Sequence, residues 1–289
     1  MAVFELKVEL APELVGTLEE LLGEWADQRL MLLEDKPAAR AWLTGYFESP
    51  AEAEAAWSRL LAIPVEGWRL GDPTIRELPD ADWRNSYKAH FKASKFGRLN
   101  WVPVWERATF VLPAGEAVLW LDPGMAFGTG NHETTRLCCE RLATYATGKG
   151  TAGRVIDAGC GSGILSLSAA RLGFERITGF DSDPEAIRVS NENAQLNDLT
   201  RRVDFFVGDL VTGLAGRQAE LVMANIQSDV LMHHARDICS AVAPGGELVL
   251  SGILSRELEV VRATFREIAG DWTDSSRVLG EWADLRLAR

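Results

Sequence analysis

The chain is poor in the residues that build metal centres and disulfide frameworks. Four histidines and four cysteines are spread over 289 residues. Cys138, Cys139, Cys160 and Cys239 never fall in C-x-x-C spacing and have no metal-site partners, so no metal site is expected. Free thiols in a reducing cytoplasm are the plain reading. The tandem His233-His234 lies on a helical stretch without carboxylates at ligand spacing and reads as surface or packing. No apolar run approaches the roughly 20 residues of a membrane span. Met1-Ala2-Val3-Phe4-Glu5-Leu6-Lys7 lacks a basic region followed by an apolar stretch, which argues against a secretory signal. Positive charge is scarce too: 30 lysines and arginines face 42 acids, a net charge of −12. That balance argues against a broad basic surface for nucleic acid, and suits a basic protein partner or simple solubility. The expectation is a cytoplasmic globular enzyme without membrane or nucleic-acid partners, 47% hydrophobic and long enough for two domains.

Glycine is plentiful where geometry needs it. Arg154-Val155-Ile156-Asp157-Ala158 is a short apolar run carrying an acid near its end. Gly159, Gly161 and Gly163 follow at alternate positions, and a helical pattern opens at Ile164. That is a strand, a tight turn and a helix N-terminus, whose glycines let a ligand approach the backbone. A second apolar run ends at Asp181, where a carboxylate can accept both hydroxyls of a ribose. The spacing is G-x-G-x-G, not the G-x-G-x-x-G of dinucleotide binders. With Asp157 just before the turn, it resembles the S-adenosylmethionine loop of class I methyltransferases. A glycine turn needed for geometry alone is the bland alternative.

Around this motif the chain divides by pattern. Phe4, Leu6, Val8 and Leu10 alternate with charged residues as in a half-buried strand, and Leu14 to Trp25 repeats at helical spacing. Further strands are predicted at 29–33, 41–48 and 65–70, with a second helix over 51–61. The resulting order β-α-β-β-α-β predicts a small ferredoxin-like α+β domain over residues 1–70. Residues 71–121 read as a connector of helix and strands; eight of the ten tryptophans lie before residue 121. Its aromatic and basic interleaving from Asp82 to Lys92 suits single-stranded nucleic acid, or a helix and hairpin packing aromatics against the next domain. The second reading fits an acidic chain better.

Residues 122–289 alternate strands and helices as in a doubly wound α/β sheet. Strands are predicted at 155–158, 177–181, 203–207, 221–224 and 247–251, and helices at 164–172, 184–196, 228–242 and 256–268. The tail, 272–278 then 281–287, is expected to close as an antiparallel hairpin at the sheet edge. Gly159, Asp181, Asp209 and Asn225 all fall at or just after strand ends, where such sheets bind ligands. Two more clusters stand out. Asp122 to Thr135 is a glycine-rich loop running into a helix, in which Thr134 or Thr135 can donate hydroxyl hydrogen bonds or merely cap. Met223-Ala224-Asn225-Ile226 ends the fourth strand, and its carboxamide can serve a site or simply terminate the strand.

Together, the Asp122–Thr135 stretch, the Gly159–Gly163 loop, the Asp181–Pro184 turn and Ala224-Asn225-Ile226 resemble the PrmA family, bacterial methyltransferases of ribosomal large-subunit protein eleven. The resemblance implies S-adenosyl-L-methionine as cofactor and a ribosomal protein as partner, methylated on lysine or N-terminal amines and selected by the N-terminal domain. It implies cofactor contacts from Thr135, Gly159, Asp181 and Asn225; position in or beside the turn adds Asp157, Gly161 and Gly163, and position just after a strand end adds Asp209. The chain departs from the family in having Asn131-His132-Glu133 where Thr-His-Pro is usual. Asn225 and Phe127 are the candidates for aiming the acceptor amine and walling its channel. His132 is a proton acceptor in one reading and a structural loop histidine in another. The competing functions are the same cofactor with another protein lysine or a small molecule, and an NAD-dependent oxidoreductase, which the glycine spacing and terminal hairpin disfavour. A monomer is the expected state.

Overall fold

The computed structural model describes residues 3–11, 14–15, 18, 29–35, 40–63, 70–78, 92–122 and 132–289. The chain forms two compact units, Met1–His90 and Phe91–Arg289.

In the first unit, β1 (Val3–Leu10) sits between β3 (Arg40–Phe47) and β4 (Thr74–Leu78), with β2 (Leu30–Asp35) outside β3. Every pairing is antiparallel. The alternation in β1 buries Leu6, Val8 and Leu10 against Leu43 and Phe47, and against Ala53, Ala56 and Leu60 of helix α1 (Pro50–Leu61). Ser49 starts that helix by accepting from the Glu52 N–H. The sheet's fourth strand is Thr74–Leu78; of the strand predicted at 65–70, residues 65–69 lie outside the described residues, as does most of the helix predicted over 14–25.

The second unit opens with a small sheet, β5 (Ser94–Phe96), β6 (Leu99–Pro103) and β7 (Ala117–Leu121). The two strands expected in this stretch, near 99–105 and 117–121, are β6 and β7, and they pair in parallel instead of as a hairpin; the hairpin that does form joins β5, which was not anticipated, to β6. Residues 104–116 carry the chain back to the starting end of the small sheet, so that β7 runs beside β6 in the same direction. The helix expected in the Trp83–Phe91 stretch lies outside the described residues. Trp101 is buried and donates its indole N–H to Ser168, which fastens the small sheet to the helix Ile164–Leu172 that packs on the larger one.

The main sheet has seven strands in the order β10-β9-β8-β11-β12-β14-β13. Five are parallel: β8 (Arg154–Ala158), β9 (Arg176–Asp181), β10 (Asp204–Val207), β11 (Ala219–Asn225) and β12 (Val242–Leu254). The last two, β13 (Thr273–Leu279) and β14 (Trp282–Ala288), form the terminal antiparallel hairpin, with β14 inserted beside β12. Both faces are covered, so its central strands are apolar on both sides. Ile156, Ala158, Val222, Ala224, Leu248 and Leu250 face one core. Their neighbours Val155, Leu221, Met223 and Val249 face the other, with α2 (Glu133–Lys149) and α3 (Ile164–Leu172). Where one helix was expected over 228–242 there are two, α6 (Ser228–His233) and α7 (Ala235–Ser240), after α4 (Pro184–Leu196) and the short α5 (Leu210–Leu214). β12 starts five residues earlier than its apolar run suggests. Helix α8 (Leu258–Ala269) precedes the hairpin. The strand order reverses between β8 and β11, and the crevice beyond their carboxyl ends is where such sheets take ligands.

Candidate active site

The loop after β8 is held from both sides by backbone. Gly159 and Cys160 N–H groups both donate to the Phe180 carbonyl at 2.9 Å. The Ser190 hydroxyl donates to the Gly161 carbonyl at 2.7 Å, and the Asn193 carboxamide donates to the Ser162 carbonyl at 2.9 Å. Helix α4 thereby clamps the loop that α3 grows from. All three loop glycines have positive φ, 71°, 53° and 75°. Their surroundings differ, however. A Cβ at Gly159 would lie 2.6 Å from the Ile226 side chain, and one at Gly163 2.8 Å from Phe205. At Gly161 it would meet nothing within 4 Å. Gly159 and Gly163 are therefore small because protein packs against them, and Gly161 alone faces open space.

Asp181 closes that open space at the end of β9. One carboxylate oxygen accepts the Gly161 N–H at 2.9 Å and the other accepts the Asp183 N–H at 3.0 Å. Each oxygen keeps a second lone pair. A half-buried carboxylate with both oxygens fixed beside an unobstructed glycine fits a vicinal diol, as in a ribose. The Gly208 N–H donates to the Asp181 carbonyl at 2.9 Å, which brings Asp209 to the same end of the sheet. Asp209 caps α5: the Val211 N–H, Thr212 N–H and Thr212 hydroxyl all donate to its Oδ1, and these hold its carboxyl below the usual range. The cap was not legible as such, because α5 is only five residues long.

Asp157 is almost wholly buried, 1% exposed, and faces α3. The Ser166 N–H and hydroxyl donate to its Oδ2 at 3.0 and 2.7 Å, while Oδ1 has no hydrogen-bond partner among the described residues. Burial pushes its carboxyl up to about 6, which the Ser166 bonds resist and the Asp181 charge reinforces. A buried carboxylate with one unsatisfied oxygen suits a cationic ligand group. Ser166 was missed by sequence reasoning; its signal is a serine in the apolar run Ile164-Leu165-Ser166-Leu167, which needs a partner when buried.

On the other side of the switch point, the Asn225 carboxamide donates from Nδ2 to the Thr135 hydroxyl at 3.3 Å. That commits the amide nitrogen to α2 and turns Oδ1 away from it, as an acceptor. Ser251 anchors α2 from β12 by donating to the Thr134 carbonyl at 3.1 Å. Gly252 follows with φ 81°, where a Cβ would come within 2.3 Å of the Ile226 carbonyl. These two residues were also missed, since neither belongs to a recognisable motif. Ile226, against both Gly159 and Gly252, ties the Asn225 turn to the glycine loop.

The remaining candidates separate. Phe127 and residues 123–131 lie outside the described residues. His132 caps α2: the Thr134 N–H donates to its Nδ1 at 3.4 Å, with the Thr134 hydroxyl 2.8 Å from the same nitrogen. Its ring lies edge-on to Trp282 and burial lowers its pKa. This is the structural reading of His132. His234 stands 3.5 Å from Asp237, and no group of histidines, cysteines and acids among the described residues could hold a metal. The four cysteines are free and buried. No described helix is long and apolar enough to cross a membrane.

The comparisons agree with one another. The family described as ribosomal protein L11 methyltransferase (PrmA) matches residues 18–289. A ribosomal protein L11 methyltransferase of Geobacter sp. is 36% identical over 286 residues, 91% of this chain and 92% of its own. One from Pseudomonas aeruginosa is 37% identical over 281 residues, 92% of each chain. The crystal structure of a ribosomal protein L11 methylase from Lactobacillus delbrueckii subsp. bulgaricus superposes with a TM-score of 0.61 at 26% identity, covering 69% of this chain and 99% of that one. The chain belongs to the ribosomal protein L11 methyltransferase family and is a protein methyltransferase.

Proposed function

We propose that this enzyme transfers methyl groups from S-adenosyl-L-methionine to lysine or N-terminal amines of ribosomal protein L11. The observation that carries the cofactor assignment is Gly161, open above its Cα and backed by the Asp181 carboxylate. When bound, the cofactor supplies a sulfonium methyl that is already electrophilic, so no strong base is needed. Asp181 orients a ribose, Asp157 accepts from an ammonium group, and Asp209 borders the far end. Asn225 receives the acceptor amine: with Nδ2 held by Thr135, its Oδ1 accepts an amine hydrogen and aims the lone pair along one direction. Dry surroundings lower an amine's pKa and favour the neutral nucleophile. Phe127 is assigned to the wall of this channel.

Substrate choice is assigned to the first unit. The strand order β2-β3-β1-β4, antiparallel throughout and with a helix between β3 and β4, supports a ferredoxin-like domain there. A net charge of −12 suits the basic proteins of ribosomes. The enzyme is expected to act as a cytoplasmic monomer. Incubation with labelled S-adenosylmethionine and ribosomal protein from cells lacking the enzyme tests the assignment. Label should appear in L11; label confined to another protein, or to small molecules, overturns it.

A further inference from the structure

The edge of the main sheet opposite the glycine loop holds a second cleft. The amino ends of β8, β9 and β10 and the turn leading into β11 form it, an open groove of about 610 Å3. Arg154, Arg176, Arg201, Arg202 and Arg217 line it, against two carboxylates, Glu175 and Asp204. Such a cluster is unexpected in a chain with 42 acids and 30 basic residues.

How these arginines are partnered is the telling feature. Elsewhere many guanidiniums pair with carboxylates, as Arg141 and Arg277 do with Asp284, Arg262 and Arg266 with Asp274, and Arg286 with Glu247, while Arg98, Arg171 and Arg289 rest singly on carbonyls. In the cleft, among the described residues, Arg154 alone does so, to Glu220 at 3.0 Å. Among the described residues Arg176 donates to the Ala152 carbonyl and Arg202 to the Phe174 carbonyl. Arg217 donates to the Thr212 and Gly213 carbonyls, with its guanidinium over the Phe206 ring. Arg201 is exposed and has no hydrogen bond or ion pair with a described residue. A carbonyl fixes a guanidinium without neutralising its charge. Three positive charges are thus held in place, with a fourth beside them able to swing in.

We propose that this cleft binds a small polyphosphate-bearing anion, such as a nucleoside triphosphate, through its phosphates. Guanidinium forks match phosphate oxygens in pairs, and the volume lies within the range of small-molecule sites. Glu175 and Asp204 oppose a weakly charged anion, so several phosphates in series are needed to prevail. No aromatic side chain lines the cleft among the described residues, so it offers no stacking platform for a base. The phosphate chain, not the base, is what it reads. Strands of five or six residues, about 3.3 Å each, separate it from the cofactor crevice by about 16–20 Å, so both sites can fill together.

Calorimetry on the full-length protein in about 0.15 M salt tests this, with orthophosphate, pyrophosphate, tripolyphosphate and ATP as probes. Saturable binding should tighten with each added phosphate, and ATP should match tripolyphosphate. Arg201→Ala and Arg202→Ala should each weaken tripolyphosphate about fivefold, the order of a charge-assisted bond in a half-open cleft. The melting temperature and S-adenosylmethionine affinity should not move, which separates this site from the proposed cofactor site. Arg201→Glu should abolish binding, whereas Arg188→Ala, at a paired surface arginine, should leave it intact. No saturable binding, affinity indifferent to phosphate number, or unchanged binding in Arg201→Glu overturns the proposal. So does binding of an RNA oligonucleotide without tripolyphosphate, which would mean an extended surface instead.

Discussion

Asp181 shapes the glycine loop and is proposed to hold the ribose with the same carboxylate, which makes it the most revealing single substitution. Both oxygens accept backbone N–H groups that shape the loop, and in the proposed role both also accept ribose hydroxyls. A charge-assisted hydrogen bond contributes about 1.5–3 kcal/mol, so Asp181→Ala should weaken S-adenosylmethionine at least tenfold by calorimetry. Asp181→Asn should be nearly as damaging, because its NH2 group must face one of the two N–H donors. Unchanged binding in either variant removes Asp181 from the site. Asn225 predicts a different pattern. If its Oδ1 aims the acceptor amine, Asn225→Ala should lower kcat more than it weakens the cofactor; equal losses would make it chiefly a cofactor contact. Asp157 predicts a pH effect. Its folded-state carboxyl stands at about 6 against an ordinary 3.8, so the folded protein keeps the proton longer than the unfolded chain. Stability is then lost as pH rises from about 4 to about 6, a penalty of at most about 3 kcal/mol that persists above. Asp157→Asn retains an oxygen for Ser166 and places an NH2 where Oδ1 has no partner. Relative to the parent, its melting temperature should be more favourable at pH 8 than at pH 5, while cofactor affinity falls. An identical difference at both pH values would falsify the buried-charge account.

At the scale of elements, the terminal hairpin is locked by one buried group. Asp284 on β14 is fully buried and accepts from Arg141 of α2 at 2.7 and 3.0 Å, and from the backbone and side chain of Arg277 on β13. Helix α2 also carries Thr135, so this cluster holds one wall of the site in register. Removing one member of a buried pair costs about 3–5 kcal/mol, and Asp284→Ala should lower the melting temperature by several degrees at least. A variant that melts with the parent would show the pair to be dispensable. None of this was legible from sequence, because Arg141 and Asp284 are 143 residues apart. What was legible is local. The run Val155–Ala158, the glycine turn and the strand ending at Asp181 announce themselves by alternation, turn chemistry and length. The failures are equally physical. Residues 228–242 are apolar at helical spacing, yet His234 leaves the helical conformation and splits them in two. β12 was read short because Pro244-Gly245-Gly246 looks like a turn, although the strand runs through it. The arginine cleft was invisible for the same reason as Asp284: only the sheet brings Arg154, Arg176, Arg201 and Arg217 to one edge.

At the scale of the whole molecule, the proposed roles separate recognition from chemistry along the chain. Every described residue assigned to the cofactor, from Thr135 to Asn225, belongs to the unit Phe91–Arg289. That unit has two apolar cores of its own, one on each face of its main sheet. The first unit has a third, built from Leu6, Leu43, Phe47 and Leu60. Composition foresaw this much, since 289 residues suffice for two domains; the stretch read as a connector, 71–121, is split between the two units at His90 and Phe91, because the aromatic load of residues 92–121 belongs to packing within the second unit, as Trp101 and Phe96 show. A chain truncated to begin near residue 79 therefore keeps both cores of the second unit. It should fold, melt cooperatively and bind S-adenosylmethionine with an affinity within about threefold of the parent, since no assigned cofactor contact is lost. It should nevertheless fail to methylate intact ribosomal protein L11, while still methylating a free amine presented at high concentration. The paired measurement matters: loss of both activities would place part of the catalytic machinery in the first unit. Methylation of L11 at the full rate would mean that the crevice beside Asn225 selects its own substrate, and the first unit would need another role.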